Sequence, residues 1–458
     1  MNIIEKEVVV IGAGLTGLTV SYYLNKKNID FITIDNANEV GGVIKTNKEQ
    51  GFLFEQGPNT GVIGNTAVVE LFNELSDECC LEVANENVKK RYILKNSEWN
   101  HLPLGFKDAI KTPLFTFKDK IKVLGEPFRK AGSDPHENLA DFVKRRLGDS
   151  FLKYAIDPFI LGVYAGDPNY LIPKYALPKL YNLEQKYGSL IWGSVRKKFE
   201  PKTGLEKQVT KSVFSFKGGM SSLINALYKK SNSNNFILSA NNIIIKKTDS
   251  GYSVEYIDKD NNLNIIKTKK VITTIGAYNL NKLLPFIKKE KIEKINNLLY
   301  TKVIEVTLGF NKWNGIKLDG FGGLIPSVEK RDILGFLFMS SLFENRCQKE
   351  GALITIFMGG TKRQDLIEFD DEQIEKIVEN ESKKLLKLTE FKPDLFKIVR
   401  HNYAIPQYGI DSGVRFETIN EIELENDGLF IGGNLCNGIG MADRIMQGKT
   451  LSEKALKI

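Results

Sequence analysis

Gly12-Ala13-Gly14-Leu15-Thr16-Gly17 and, eighteen residues further on, Asp35 have the spacing that most directly implies chemistry. Glycine at the first position permits a tight turn. At the second it leaves no Cβ between the backbone and a pyrophosphate, and at the third it lets a helix lie close to a strand. The N–H groups of that helix's first turn favour phosphate, while a carboxylate at Asp35 accepts ribose hydroxyls and repels a 2′-phosphate. Gly12, Gly14, Leu15, Thr16, Gly17 and Asp35 are therefore expected to hold a dinucleotide. A glycine motif alone is a weak signal, and the flanking elements strengthen it. Val8-Val9-Val10-Ile11 reads as a buried parallel strand, Leu15, Leu18 and Tyr22 as the packed face of a helix, and Phe31 to Asp35 as a second strand.

Further glycines separate flavin from nicotinamide. Asn38-Glu39-Val40-Gly41-Gly42-Val43 follows the ribose-binding acid, and Phe54-Glu55-Gln56-Gly57-Pro58-Asn59 comes soon after. This pair resembles the second fingerprint of FAD-dependent amine oxidases and their relatives, with Asn38 where a basic residue often stands. At the far end, Leu429-Phe430-Ile431-Gly432-Gly433-Asn434 and Gly438-Ile439-Gly440-Met441 repeat the order of strand, glycine turn and helix start. Backbone N–H groups and a helix dipole placed there suit a pyrophosphate or the N1–C2 edge of a flavin. A nicotinamide enzyme has no reason to return its C-terminus to the cofactor. FAD is the expected cofactor, with Gly41, Gly42, Gly57, Pro58, Gly432, Gly433, Asn434, Gly440 and Met441 as further contacts. A covalent flavin link through Cys436 is conceivable, and a buried thiol is the preferred reading.

Composition narrows the class. The chain has 458 residues, is 42% hydrophobic and 26% charged, and has room for more than one core. Its formal charge of +8 is spread among acids, so nucleic acid is not implied as a partner. Cys79, Cys80, Cys347 and Cys436 form no CxxC pair, and His101, His136 and His401 have no ligand spacing, so neither a disulfide-reductase flavoprotein nor a metal site is expected. The first strand begins almost at residue 1 and no apolar run approaches the roughly 18 residues that span a bilayer, so the expected location is cytoplasmic.

Between the flavin segments, Lys90 to Leu94 reads as a hairpin opening a second lobe. From Leu102 to Arg146, Phe106, Ile110, Leu114, Phe115, Phe117, Ile121, Val123, Leu124 and Phe128 alternate with lysines and arginines. That mixture suits a face lying on lipid headgroups, peripheral at the inner side of the cell membrane; ordinary packed helices with a solvated face are the alternative. A helix from Asp371 to Leu388 reads as solvent-facing.

Asp157-Pro158-Phe159-Ile160-Leu161-Gly162-Val163-Tyr164-Ala165-Gly166-Asp167-Pro168 closely resembles the segment bordering the tetrapyrrole cavity in the protoporphyrinogen and coproporphyrinogen oxidases of haem synthesis. Gly188 to Ile191, Phe216 to Met220 and the Pro406-Gln407-Tyr408 run continue the resemblance, which covers nearly the whole chain. It implies an α/β and α+β fold with a discontinuous Rossmann-like FAD-binding domain (1–80, 206–285 and 416–458), a helical lobe (81–205) and a substrate-binding lobe (286–415). It also implies roles. Arg91 would bind a propionate and Gly162 would sit against the macrocycle. Phe321, Leu324, Leu334 and Phe357 would line the cavity, with a plain β-core as the alternative. The backbone near Ile244 would meet the adenine. Asn59 would lie near the ring and polarise or orient the substrate, with a structural turn as the alternative.

The implied activity is oxidation of a porphyrinogen to the porphyrin, with hydride passing to FAD N5 and O2 reoxidising the flavin to give H2O2. Handover of product to a ferrochelatase belongs to the same expectation. Protoporphyrinogen IX is preferred over coproporphyrinogen III, which carries more propionates. A carotenoid desaturase or amine oxidase would share both flavin ends but not the GVYAGDP stretch. A non-catalytic flavin scaffold would have no need of Asn59, Arg91 and Gly162 together.

Overall fold

The sequence Val8–Ile11 is almost wholly inaccessible, as four consecutive β-branched residues require when a strand is covered on both faces. The computed structural model describes residues 2–457, and the side chain of Phe106 lies outside what it describes. With strands numbered along the chain, β1 (Asn2–Ile11) lies parallel between β2 (Phe31–Ile34) and β13 (Leu263–Thr273). β10 (Phe236–Ile237) extends the sheet beyond β2. On its other side β13 is shared. Its first half pairs antiparallel with β12 (Gly251–Ile257), which leads to β11 (Asn241–Thr248), and its last three residues pair parallel with β19 (Leu429–Ile431). One Rossmann-like sheet is thus assembled from the beginning, middle and end of the chain.

The second seven-stranded sheet runs in the order β18 (Leu395–His401), β14 (Val303–Phe310), β17 (Ala352–Gly359), β16 (Ile333–Leu337), β15 (Gly320–Leu324), β7 (Lys90–Lys95), β8 (Glu98–His101). The hairpin at Lys90 therefore does not open the helical lobe. It extends this sheet, with β7 parallel to β15. Every residue of β14 is buried. Ile304, Val306 and Leu308 pack on one side with Ile374 and Val378 of the helix Asp371–Leu385, so that charged helix faces the core along one stripe instead of lying free in solvent. Glu305 and Thr307 point to the opposite face, Glu305 towards Gly57 and Asn59. Two smaller sheets pair β3 (Lys45–Glu49) with β4 (Phe52–Gln56), and set β9 (Val213–Phe216) between β5 (Gly61–Val62) and β6 (Leu81–Val83).

The segment between residues 104 and 199 is helical. Leu114 and Phe115 turn inward, whereas Ile110, Phe117, Ile121, Leu124 and Phe128 are exposed, Phe128 at 91%. Glu126 is fully buried with Arg146, and its carboxylate accepts from Ser189 Oγ (2.5 Å), Leu190 N (2.9 Å) and Ile191 N (3.2 Å). This caps the start of the helix Leu190–Phe199 and fastens it to the exposed segment. No helix among the described residues is long and apolar enough to cross a membrane.

One buried acid ties β4 to β3 and to the start of the helix Ser221–Lys230. Glu55 on β4 accepts from Thr46 Oγ1 (2.5 Å) and Met220 N (3.0 Å), with Arg346 Nη1 at 3.8 Å. Burial pushes its carboxyl up to about 7 from the ordinary 4.5, against the pull of those hydrogen bonds and of Arg346. The folded protein thus keeps a proton that the unfolded chain gives up. Stability from this group is fully present below pH 4.5 and is lost as pH rises to about 7, in all about 3 kcal/mol. Glu55→Gln should flatten that slope. Denaturant unfolding at pH 5 and pH 8 is expected to show the variant gaining on the wild type between the two.

Candidate flavin and substrate site

The first glycine turn has the stereochemistry its spacing requires. Gly12 has φ +103°, and a Cβ at Gly17 would stand 1.8 Å from Gly12 O, so only glycine lets the helix Leu15–Lys26 come this close to β1. A Cβ at Gly14 would meet no atom within 4 Å. Gly14 caps the helix without a side-chain acceptor, so its first-turn N–H groups face that open space. Leu15 and Thr16 are buried and set the helix on the sheet. Asp35 is held beside the turn, its two oxygens accepting from Ala13 N (2.5 Å) and Ala37 N (2.8 Å).

Gly41 and Gly42 sit directly on this turn. Gly41 N donates to Ala13 O at 2.8 Å, and a Cβ on Gly42, at φ +62°, would lie 3.4 Å from Gly14 Cα. Gly57 follows in the same line, with the place of its Cβ 2.2 Å from Val43 O. Half-buried Pro58 and buried Asn59 continue the loop. Ile244 lies on β11 opposite Glu255. The chain that adjoins Asp35 is Ile237, whose carbonyl accepts from Asp35 N, and Ala240, whose N–H donates to Asp35 O.

The C-terminal glycines return to the same place. Gly432 N donates to Thr273 O at 2.8 Å, and a Cβ at Gly433 would stand 2.7 Å from Thr274 O. Asn434 Oδ1 accepts from Tyr300 OH at 2.9 Å, exposed Gly440 donates to Asp443 Oδ2 at 3.1 Å, and buried Met441 starts the last helix, Met441–Lys457. Arg444, buried at 8%, holds this loop by donating to the carbonyls of Gly433, Cys436 (2.8 Å), Asn437 (3.0 Å) and Gly438 (2.8 Å). Tyr408 OH adds bonds to Asn434 O (2.8 Å) and Gly438 O (3.1 Å). The thiol of Cys436 is buried and pushed up to about 11, so it is a neutral packing group and a poor nucleophile. The open space at Gly14, the uncapped helix start and the ribose-side acid together fit an FAD molecule.

On the second large sheet, strand register decides which side chains share a face. Arg91 pairs with Gly322, Ile93 with Leu324, Leu324 with Gly335, Gly335 with Phe357, and Phe357 with Glu305. These residues line one face across five strands. Leu334, in the bulge beside Gly335, clusters with Phe357, Leu161 and Ala165. Gly162 lies on the helix Asp157–Tyr164, where a Cβ would stand 2.3 Å from Leu324 Cδ2. The space a Cβ would take is thus filled by a side chain of this wall. Arg91 is exposed, its guanidinium 5.3 Å from the centre of the Phe321 ring, and among the described residues no carboxylate pairs with it.

Two groups at this site escaped the sequence reading. Glu305 accepts from Gly57 N (2.7 Å) and Asn59 Nδ2 (2.5 Å), and His401 Nε2 stands 3.4 Å from it. The signal was a single acid within the otherwise apolar Val303-Ile304-Glu305-Val306. Arg444 was passed over inside Gly440-Met441-Ala442-Asp443-Arg444, where nothing marks it as an inward-facing cation.

The chain is 29% identical to the mitochondrial protoporphyrinogen oxidase of Nicotiana tabacum, over 97% of its own length and 93% of the relative's. It is 25% identical to the coproporphyrinogen III oxidase of Bacillus subtilis (strain 168), over 99% and 98%. The solved structure of an Exiguobacterium sp. 255-15 protein with a provisional protoporphyrinogen oxidase name shares the fold, with a TM-score of 0.81, 22% identity and 99% of both chains covered. The family model for flavin containing amine oxidoreductases matches residues 15–422, and this chain, with both of its glycine turns meeting at one sheet, belongs to that family.

Proposed function

We propose that this protein oxidises a porphyrinogen to the porphyrin in haem biosynthesis, with protoporphyrinogen IX as the preferred substrate and coproporphyrinogen III as the alternative. The observation that carries the reading is the wall formed by Leu324, Leu334, Phe357 and Gly162 with Arg91 free at its edge. Such a wall suits a flat apolar macrocycle that carries carboxylates at its rim. Bound FAD supplies the hydride acceptor at N5, and O2 the onward acceptor, giving H2O2. The protein's part is to bind and orient. The Arg91 guanidinium takes a propionate through two parallel bonds, fixing which edge of the ring enters. The Asn59 amide, already committed to Glu305, Gly57 and Thr355, orients its loop and does not itself take a proton. Three such oxidations convert porphyrinogen to porphyrin, and passage of the product to a ferrochelatase would follow release.

The same reading places the protein at the inner membrane surface. Phe117 (79%), Leu124 (68%) and Phe128 (91%) are exposed among Lys118, Lys122 and Lys130, and Trp192 and Phe199 (80%) extend the apolar surface next to Arg196, Lys197 and Lys198. The contact of Glu126 with the start of the Leu190–Phe199 helix joins the two parts. Aromatic groups at headgroup depth with lysines reaching outward suit an anionic bilayer.

Anaerobic mixing of the FAD-loaded protein with each porphyrinogen should bleach the flavin, and admission of air should then release porphyrin fluorescence. If neither porphyrinogen bleaches it, the proposed activity is wrong. Arg91→Ala should raise KM roughly 10-fold to 100-fold, since a charge-assisted pair contributes about 1.5–3 kcal/mol, and should leave kcat nearly unchanged. An unchanged KM removes Arg91 as the anchor. For the membrane, sedimentation with phosphatidylcholine vesicles containing phosphatidylserine should pull down the wild type. Phe117→Glu/Phe128→Glu should weaken that binding by about tenfold or more, because each buried phenyl contributes about 1.5–3 kcal/mol. Equal sedimentation of both proteins would remove the patch from the interface.

A further inference from the structure

Glu305 is an anomaly of its strand. It is 1% exposed in the middle of β14, where all eight residues are buried, and no lysine or arginine pairs with it among the described residues. A buried carboxylate in such surroundings is costly unless each oxygen is met by a donor. Its donors come from the cofactor side of the molecule. Oε2 accepts from Gly57 N at 2.7 Å and lies 3.4 Å from His401 Nε2, and Oε1 accepts from Asn59 Nδ2 at 2.5 Å. The same Asn59 amide donates to Gly57 O at 3.0 Å and accepts from Thr355 Oγ1 at 2.8 Å. An acceptor on one side and a hydroxyl donor on the other leave the amide a single orientation. Gly57 in turn rests on Val43 O, next to Gly42, which lies against Gly14. A continuous chain of contacts therefore runs from the centre of the substrate sheet to the dinucleotide turn, and a carboxylate stands at its head.

We propose that Glu305 is a positioning residue for the flavin reaction: it fixes the Gly57–Asn59 loop and the Asn59 amide against the flavin, and the His401 ring closes the other side of its carboxylate. The rate part of this inference rests on the porphyrinogen reading above; the flavin part does not. Other charges face the pair. Glu55 on β4 is pushed up partly by Glu305, Arg346 stands behind Glu55 at 3.8 Å, and Lys397 on β18 is engaged by Glu49 at 2.9 Å. Arg346 and Lys397 have acids of their own, so neither neutralises Glu305. A negative charge below the flavin-side loop opposes gathering of negative charge on the reduced ring, so the pair also tunes how readily the flavin accepts electrons.

The test uses the FAD-loaded wild type and Glu305→Gln, Glu305→Asp and His401→Gln. Two quantities are read: the flavin midpoint potential, and the rate of anaerobic flavin reduction by protoporphyrinogen IX. Glu305→Gln should move the potential to more positive values. It should also slow flavin reduction by about tenfold or more while changing KM far less, because a displaced loop spoils orientation and not binding. Glu305→Asp, which keeps the charge, should hold a potential close to wild type. If Glu305→Gln binds FAD poorly, the potential and the reduction rate of the other two variants decide. A potential and a reduction rate unmoved in every variant overturn the proposal. If no porphyrinogen reduces the wild type while the potentials shift as stated, the positioning role stands and the substrate reading falls.

Discussion

Three segments that are far apart in sequence meet on the backbone of Thr274. Its N–H and its Oγ1 both donate to Ile11 O, at 2.9 and 3.0 Å, and its carbonyl lies where a Cβ on Gly433 would have to go. Backbone packed this tightly has no space for side chains, so the glycines at 12, 17 and 433 are a steric demand of the junction. The rest of the site takes its register from here. Asp35 is fixed through Ala13, Gly41 and Gly42 through Ala13 and Gly14, Gly57 through Val43, and Glu305 through Gly57. The arrangement joins strands more than two hundred residues apart. Closing such loops costs only logarithmically in length, so the expense falls on folding speed more than on final stability.

What could be read from the sequence follows from this geometry. The opening turn was legible because strand, glycines, helix and acid lie within thirty-five residues, and each imposes a local requirement. The returning glycines at 432 and 433 were legible for the same reason. The hairpin at Arg91 was legible as a hairpin, but its parallel partner β15 begins more than two hundred residues later, and no local pattern states that pairing. Likewise Leu114 and Phe115 cannot be told from Phe117 by type. The first two pack with Ile93 while the third is exposed, and only the tertiary partner separates them. Glu305 and Arg444 were hidden by a different limit. A buried charge is tolerated only through donors or acceptors supplied by other elements, and those are absent from its own neighbourhood in sequence.

Buried charges serve the same purpose elsewhere in the molecule. Arg146, Arg346 and Arg415 are among the largest fully buried side chains. Arg415 donates to Leu435 O at 3.2 Å from the helix Ser412–Glu425, adding another hold on the loop that Arg444 grips. Apolar side chains in these places would fill the volume equally well, but they would not choose one loop conformation over its neighbours. A guanidinium with several directed donors does so, because each unpaired donor in a dry interior costs about 1–3 kcal/mol. Irregular loops around the glycines thereby acquire the definition that helices and sheets have from their own ladders.

The exposed apolar helices and the wall that holds Leu324 are continuous. Leu114 and Phe115 pack with Ile93, Phe151 and Leu324, and Phe115 stacks on Phe151 with ring centres 3.8 Å apart. Leu324 then meets Gly162 on the other side. Two residues beyond Phe115 the chain turns outward at Phe117. A shift of the exposed helices would therefore reach Leu324 through the stacked rings of Phe115 and Phe151. Packed interiors transmit displacement because they are nearly incompressible. The exposed apolar helices and the wall around Leu324 are in this sense two faces of one partition. The strand that carries Arg91 also carries Ile93, so the charged rim and the apolar partition are set by a single strand and move together.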